Sequence, residues 1–446
     1  MVYVKKRTII ICVILVIALL GLAIWSLTPK ITLKPTENPT QSIEDSGNSD
    51  IYRVATKSWA NGKWLGDIDK TTIKSIEFTN KNFTNVSGDK AWEYDGMHFV
   101  LNKDVITIYV PSGLRIKGSL HGAFQDMTML ESIQGFACFN TSECTEMSSM
   151  FANCINLIAV DAPNLKTDNV LTANKMFFNC TALEHIDLTK CNMQRAVDMS
   201  EMFHGCINAQ NIGLPKTEDV TTLKRAFSEV GTSTGSYTLL IGKLNTANCT
   251  DMSEMFANAM IQNYDIAETF DTTSLKTAKS MFESCGLEAI DLSQWETENL
   301  ENTERMFYDN AWCSTINISN WNTPKLEKTS FMFYYCSRLK DMKINWTNVQ
   351  TITDASNMFQ YCFGLTQLDL TGFNDVKIGN TTRMFDACGE LATIYCTNIN
   401  SDISYYMFVD CAALHGAATY DANKITGEMA TTNGYFTQPT TDVVVQ

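Results

Sequence analysis

Eight cysteines of this chain stand three residues after a phenylalanine: Cys154, Cys180, Cys206, Cys285, Cys336, Cys362, Cys388 and Cys411. A thiol can pair as a disulfide, hold a metal as thiolate or act as a nucleophile, and each use needs particular partners around it. Fourteen of the fifteen cysteines lie beyond the first 28 residues, and an even number in an exported chain invites a disulfide framework. Their positions argue for another role. Cys138, Cys144, Cys191, Cys249, Cys313 and Cys396 fall at offsets from the recurring phenylalanines that are filled in other repeats by Val, Leu, Ile, Phe or Trp. All fourteen therefore read as small buried hydrophobes, a ladder of free thiols inside a core. Disulfides between neighbouring repeats are the alternative. A metal site is disfavoured, because no C-x-x-C pair occurs and ligands supplied one per repeat would line a column instead of surrounding an ion.

The second set is carboxylate-rich. Asp161, Asp187 and Asp369 stand ten residues after a marker phenylalanine and Asp291 nine after, each between two apolar residues; Asn317 and Lys343 occupy the same place in other repeats. In a short strand whose neighbours point inward such a residue points outward. Stacked strands would line these six up as a polar row, either a solvated hydrogen-bonding ladder or a binding surface for a basic protein segment or calcium. The five histidines, His98, His121, His185, His204 and His415, show no repeat-to-repeat relation and read as surface or capping residues. No Gly-rich phosphate loop, H-E-x-x-H or G-x-S-x-G element is present, so catalysis has no recognisable vehicle and no cofactor is expected.

What positions these residues is a repeat. The marker phenylalanines are Phe124, Phe151, Phe177, Phe203, Phe227, Phe256, Phe282, Phe307, Phe333, Phe359, Phe385 and Phe408, spaced 23 to 29 residues apart and most often 26. A period in the twenties, sustained this long, is the signature of a solenoid whose repeats bury one core between them. A Leu recurs six residues after the Phe, as in Leu157, Leu183, Leu339, Leu365, Leu391 and Leu414. Runs such as His185-Ile-Asp-Leu188 and Gln367-Leu-Asp-Leu370 alternate as a short strand does. Between the Val or Leu seven before the Phe and the following Cys, the apolar spacing of three and four predicts a helical or 3₁₀ turn. The column Trp295, Trp321, Trp346 and Phe373 reads as core packing, with a sugar-binding stripe as the alternative. At Phe227 the Met and Cys are missing and Gly231 to Gly235 interrupts the pattern, so a loop or kink is expected there.

The expected fold is thus an α/β solenoid, a leucine-rich-repeat-like stack of about twelve units of strand plus helical turn. The unit M-x-x-M-F-x-x-C-x-x-L-x-x-I-D-L, seen in Met199-Ser-Glu-Met-Phe-His-Gly-Cys206 and in Met281-Phe-Glu-Ser-Cys-Gly-Leu-Glu-Ala-Ile-Asp-Leu292, resembles that of the BspA-like leucine-rich repeat surface proteins. The likeness covers about residues 121 to 420. The tail Thr432-Asn-Gly-Tyr-Phe436 is similar to that family's flank. The resemblance implies attachment to components of host or neighbouring-cell surfaces.

The ends complete the expected plan. Lys5, Lys6 and Arg7 precede an apolar run from Thr8 to Leu27. Twenty residues at 1.5 Å rise span about 30 Å of hydrocarbon, and positive charge on that side predicts the N-terminus inside. Residues 1–28 therefore read as a cytoplasmic stub with a single-pass signal anchor, or as a segment whose cleavage would leave the protein secreted. Residues 29–50 read as a flexible spacer. Residues 51–120 read as a β-rich N-terminal cap, with an independent ligand-binding domain as the alternative, and Ile73–Phe78, His98–Leu101 and Val105–Val110 as strands. Residues 121–420 are the solenoid, and 421–446 its C-terminal cap and tail. A net charge of -15 argues against nucleic-acid binding through phosphate neutralisation, which needs a basic face. The expected function is a membrane-anchored, cell-surface adhesion or protein-binding scaffold, with an extracellular protein or glycan as ligand. A self-associating surface coat is the alternative, and an enzyme with its site in residues 51–120 is the third.

Overall fold

The computed structural model describes residues 51–54, 75–78, 107–109 and 115–439, apart from 135, 137–139, 161, 163–164, 233–239, 242–243 and 261–269. These belong to one compact unit, Ser49–Gln446; a second, Met1–Asn48, falls outside the described residues. The expected membrane anchor at 8–27, the spacer at 29–50, the strand His98–Leu101, Cys138 and Asp161 therefore lie outside them. Among the described residues no helix is long and apolar enough to cross a membrane.

The chain folds as a β-solenoid. Short alternating segments form strands β1 (Ile51–Val54), β2 (Ser75–Phe78), β3 (Thr107–Tyr109), β4 (Arg115–Ser119), β5 (Ser132–Gln134), β6 (Asn140–Glu146), β7 (Ala159–Val160), β8 (His185–Asp187), β9 (Asn211–Gly213) and β10 (Leu240–Ile241). They continue as β11 (Ala289–Asp291), β12 (Thr315–Asn322), β13 (Asp341–Thr347), β14 (Thr351–Ile352), β15 (Gln367–Asp369), β16 (Lys377–Asn380), β17 (Thr393–Tyr395) and β18 (Asn400–Ile403). Each pairs in parallel with its counterpart one rung along, in the orders β1-β2-β3-β5-β7-β8-β9-β10, β11-β12-β13, β15-β17, β14-β16-β18 and β4-β6. The strands β1 to β3 thus join the same sheet as those of the repeat. Beside it runs a row of single parallel bridges, Glu146 to Thr172 to Asp198 to Thr222 to Asp251 to Thr277 to Asn302 to Lys328 to Asp354.

The helical turn expected around each M-F-x-x-C is absent, so the α component of the expected fold is corrected to β structure and turns. In the rung of Phe151, Met150 N–H bonds to Met147 O, Ala152 N–H to Ser149 O and Cys154 N–H to Phe151 O, which are tight turns in succession. Ser149 and Asn153 have φ of 54° and 62°, and an α-helix cannot pass through residues of positive φ. The other N–H groups leave the rung: Ser149 donates to Asn174 O, Phe151 to Met176 O and Asn153 to Phe178 O, all at 2.8 Å. The same alternation recurs in later rungs, for example Phe282 N–H to Met306 O and Phe359 N–H to Met384 O. Apolar spacing of three and four therefore arises from turns, with every second backbone donor spent on the neighbouring rung.

The core is columnar. From Phe124 to Phe408 the marker rings stack face to face with successive centroids 5.2 to 5.7 Å apart and planes within 16°. Phe227 keeps its place in the column, so the register runs through the irregular unit with Ala226 and Val230 buried in place of Met and Cys. Trp295, Trp321, Trp346 and Phe373 form a second buried column at 5.3 to 6.1 Å, which is core packing. At the C-terminal end Tyr435 and Phe436 close over Phe408, edge to face at 5.3 and 6.2 Å.

Candidate functional site

The thirteen described cysteines are all buried and none is in a disulfide. Seven of the Phe-linked thiols share one hydrogen bond: Sγ of Cys154, Cys180, Cys206, Cys336, Cys362, Cys388 and Cys411 donates to the carbonyl of the preceding rung's phenylalanine at 3.0 to 3.2 Å. In the rung of Phe307 the place is taken by Asn310, whose Nδ2 makes the same bond to Phe282 O at 2.6 Å. The column thus needs a small donor, and a thiol supplies one at low desolvation cost. Burial pushes the Cys154 and Cys206 thiols up to about 12 and the Cys191 thiol up to about 11. These sulfurs are held protonated, away from nucleophilic or metal-binding chemistry.

The expected polar row is divided among three sheets. Asp291, Asn317 and Lys343 are directly opposite one another on β11, β12 and β13. Asp187 is opposite Gly213, and Asp369 opposite Tyr395. Where the side chains are described, one use dominates. The carboxylate of Asp187 accepts from Thr189 N–H at 2.9 Å and Thr189 Oγ1 at 2.6 Å. Asp291 accepts from Ser293 N–H, Asn317 from Ser319 N–H and Asp369 from Thr371 N–H. Asn317 Nδ2 also donates to Asp291 Oδ2 at 2.8 Å, a cross-rung link. Each side chain closes a local turn, at the last strand residue for Asp187, Asp291 and Asp369 and within β12 for Asn317. The hydroxyl and backbone bonds from Thr189 hold the Asp187 carboxyl below the usual range. The sequence carried this signal in Asp187-Leu-Thr189, Asp291-Leu-Ser293, Asn317-Ile-Ser319 and Asp369-Leu-Thr371, a hydroxyl two residues after each turn-closing group.

Of the histidines, His204 departs from the surface reading. It is buried beside Phe178, with Nε2 3.3 Å from Arg225 Nη2. Burial, then the Arg225 charge, lowers its pKa, so it accepts from the guanidinium as neutral imidazole.

The surface that spacing did not reveal is aromatic. On the turn side of the rungs of Phe307, Phe333 and Phe359, Tyr308 stacks on Tyr334 at 4.7 Å, and Tyr334 meets Tyr361 edge to face at 5.3 Å. Tyr335 meets Tyr361 at 6.1 Å and Phe363 at 6.3 Å. Phe331 adjoins Tyr308 and Tyr334 at 6.4 and 5.6 Å. Tyr335 and Phe363 are exposed, and Arg305 lies over Tyr308 at 3.7 Å. The available signal was Tyr at the first or second residue after the stacked Phe in three successive rungs, where no other rung carries Tyr and most carry small or polar residues.

A model of the family described as "Mycoplasma protein of unknown function, DUF285" matches residues 118–236, 198–315 and 308–420, together more than half of the chain. The chain belongs to the DUF285 family. The matches overlap along the repeats, so the DUF285 region includes both the stacked phenylalanines and the aromatic surface. No curated protein matches it. Among solved structures this DUF285 chain is similar to a leucine-rich repeat protein from Bacteroides ovatus ATCC 8483, with 18% identity, 70% of this chain and 78% of that chain covered, and a TM-score of 0.33. It is also similar to a leucine rich cell surface protein from Faecalibacterium prausnitzii A2-165, with 14% identity, 81% and 80% covered, and a TM-score of 0.32.

Proposed function

We propose that this chain is a cell-surface scaffold of BspA-like leucine-rich-repeat type that binds extracellular macromolecules through its exposed rung side chains. The apolar run at 8–27 would hold it in the membrane with the repeats outside. The carrying observation is the contiguous aromatic surface from Tyr308 to Phe363, which spans three rungs. Single exposed apolar residues are ordinary on a soluble surface, whereas a joined group of Tyr and Phe beside Arg has the composition of an interaction site. The thiols and carboxylates that could have done chemistry are meanwhile used in packing and turns.

The test is binding by the full purified chain to arrays of matrix proteins and glycans, with its oligomeric state measured in parallel. Saturable binding by a monomer supports the scaffold. Concentration-dependent arrays without ligand binding would replace it by the surface-coat reading. For the anchor, alkaline carbonate extraction should leave the chain in the membrane pellet, and release into the supernatant would refute it.

A further inference from the structure

The rungs that carry the aromatic surface also carry a guanidinium, and Gly364, next in sequence to Phe363, lies against the backbone of Arg338 and Leu339. Trp312, Arg338 and Gly364 each stand five residues after a stacked phenylalanine, at equivalent places on three successive rungs. The Arg338 guanidinium carbon lies 3.9 Å from the Trp312 ring centroid, and Trp312 is 61% exposed. Arg305 and Arg383 are each paired, with Glu283 and Asp386; among the described residues no carboxylate stands within ion-pair distance of Arg338. Backbone geometry leaves the next rung bare at this place. A Cβ on Gly364 would sit 3.0 Å from Leu339 O and 3.1 Å from the Arg338 carbonyl carbon, so a side chain there would have to push the neighbouring backbone by a few tenths of an ångström.

A guanidinium laid on an exposed indole is held by the ring face while its N–H donors stay available at its edge. That fork matches a carboxylate, which it binds with two parallel bonds. Tyr335, three residues before Arg338, and Phe363 on the next rung, at 41% and 44% exposure, offer rigid apolar area with little rotamer entropy to lose. Exposed Trp, Tyr and Arg together are the residues on which protein–protein binding energy concentrates. A net charge of -15 repels a strongly acidic partner, so the carboxylate sought by Arg338 belongs to an otherwise neutral or basic segment.

We propose that Tyr335, Tyr361, Phe363, Trp312 and Arg338 form a docking surface for a protein segment whose apolar or prolyl side chains lie on the rings and whose single carboxylate is taken by Arg338. This rests on the scaffold reading and specifies where it binds and what it selects. The experiment is selection from a displayed random-peptide library on the full chain, with a glycan array run beside it. Enriched peptides should share one Asp or Glu among apolar or prolyl residues. Their affinity should fall about tenfold or more in Arg338→Ala and in Trp312→Ala. Both side chains are exposed, so unchanged melting should accompany the loss. Arg338→Glu should exchange the selected carboxylate for Lys or Arg, a gain that misfolding cannot imitate. Peptides that bind all variants as tightly as the parent would overturn this surface and leave the scaffold reading standing. Binding of neutral glycans with no peptide enriched would also overturn it. Absence of any binder would remove both.

Discussion

At the residue scale the molecule is held by repetition of one contact. Phe282 is fully buried between Phe256 and Phe307, each 5.7 Å away, so truncation removes two stacking partners and leaves a cavity. Phe282→Ala should cost about 3 to 5 kcal/mol in denaturant unfolding, and a loss below about 1 would show that the column is not core. The thiols give a pH prediction. Twelve of them are raised above their ordinary value of 9.0 by burial. A raised acid keeps its proton in the fold and loses it in the unfolded chain, so stability is level below pH 9 and falls above it. The fall is up to about 1.4 kcal/mol per pH unit for each such thiol. Cys206→Ala should therefore make the alkaline slope shallower between pH 9 and the folded value near 12, although it lowers stability at neutral pH. Titration of the denatured, unreduced protein should find most cysteines free.

At the element scale the unit is a strand closed by a turn, followed by turns that carry the Phe. Asp187→Ala removes the one oxygen, Oδ1, that accepts from both the Thr189 N–H and hydroxyl and should cost about 1 kcal/mol, with Asp187→Asn largely restoring it. Ligand binding measured on the same pair separates two roles for the strand face. Loss of binding in Asp187→Asn, whose turn survives, would assign the carboxylate to recognition; retained binding assigns it to the turn alone. The left-handed positions make another prediction. Ala387 sits at φ 61°, a conformation that costs an L-residue roughly 1 kcal/mol. Ala387→Gly should leave thermal stability unchanged or raise it slightly, whereas the same exchange at buried Ala278, whose φ is not positive, should lower it.

Across the described repeats, each rung bonds and packs to its neighbours, so stability is a sum of rungs and interfaces and the ends are its weak points. Tyr435 and Phe436 cover the last ring of the column. Tyr435→Ala should therefore act locally. Hydrogen exchange should quicken at the amides of Phe385 and Ala387, which donate to Met407 and Val409, while Phe282 and Phe307 keep their protection. Uniform loss along the whole column would mean that the stack unfolds only as one block.

The sequence by itself determined the period, the inward columns and the burial of the thirteen described cysteines, because side chains that must be buried recur at fixed offsets wherever a rung repeats. It also fixed the Asp, Asn, Ser and Thr chemistry of the turns, legible in hindsight as a hydroxyl two residues after each turn-closing side chain. Only the tertiary structure decided that the M-F-x-x-C segment is a run of turns and not a helix. Both arrangements bury residues three and four apart, and the difference lies in backbone donors that bond to a rung some 25 residues away in sequence. The aromatic surface was decided there too, since Tyr308, Tyr334, Tyr361 and Phe363 are scattered along the chain and become neighbours only when stacking brings successive rungs into register.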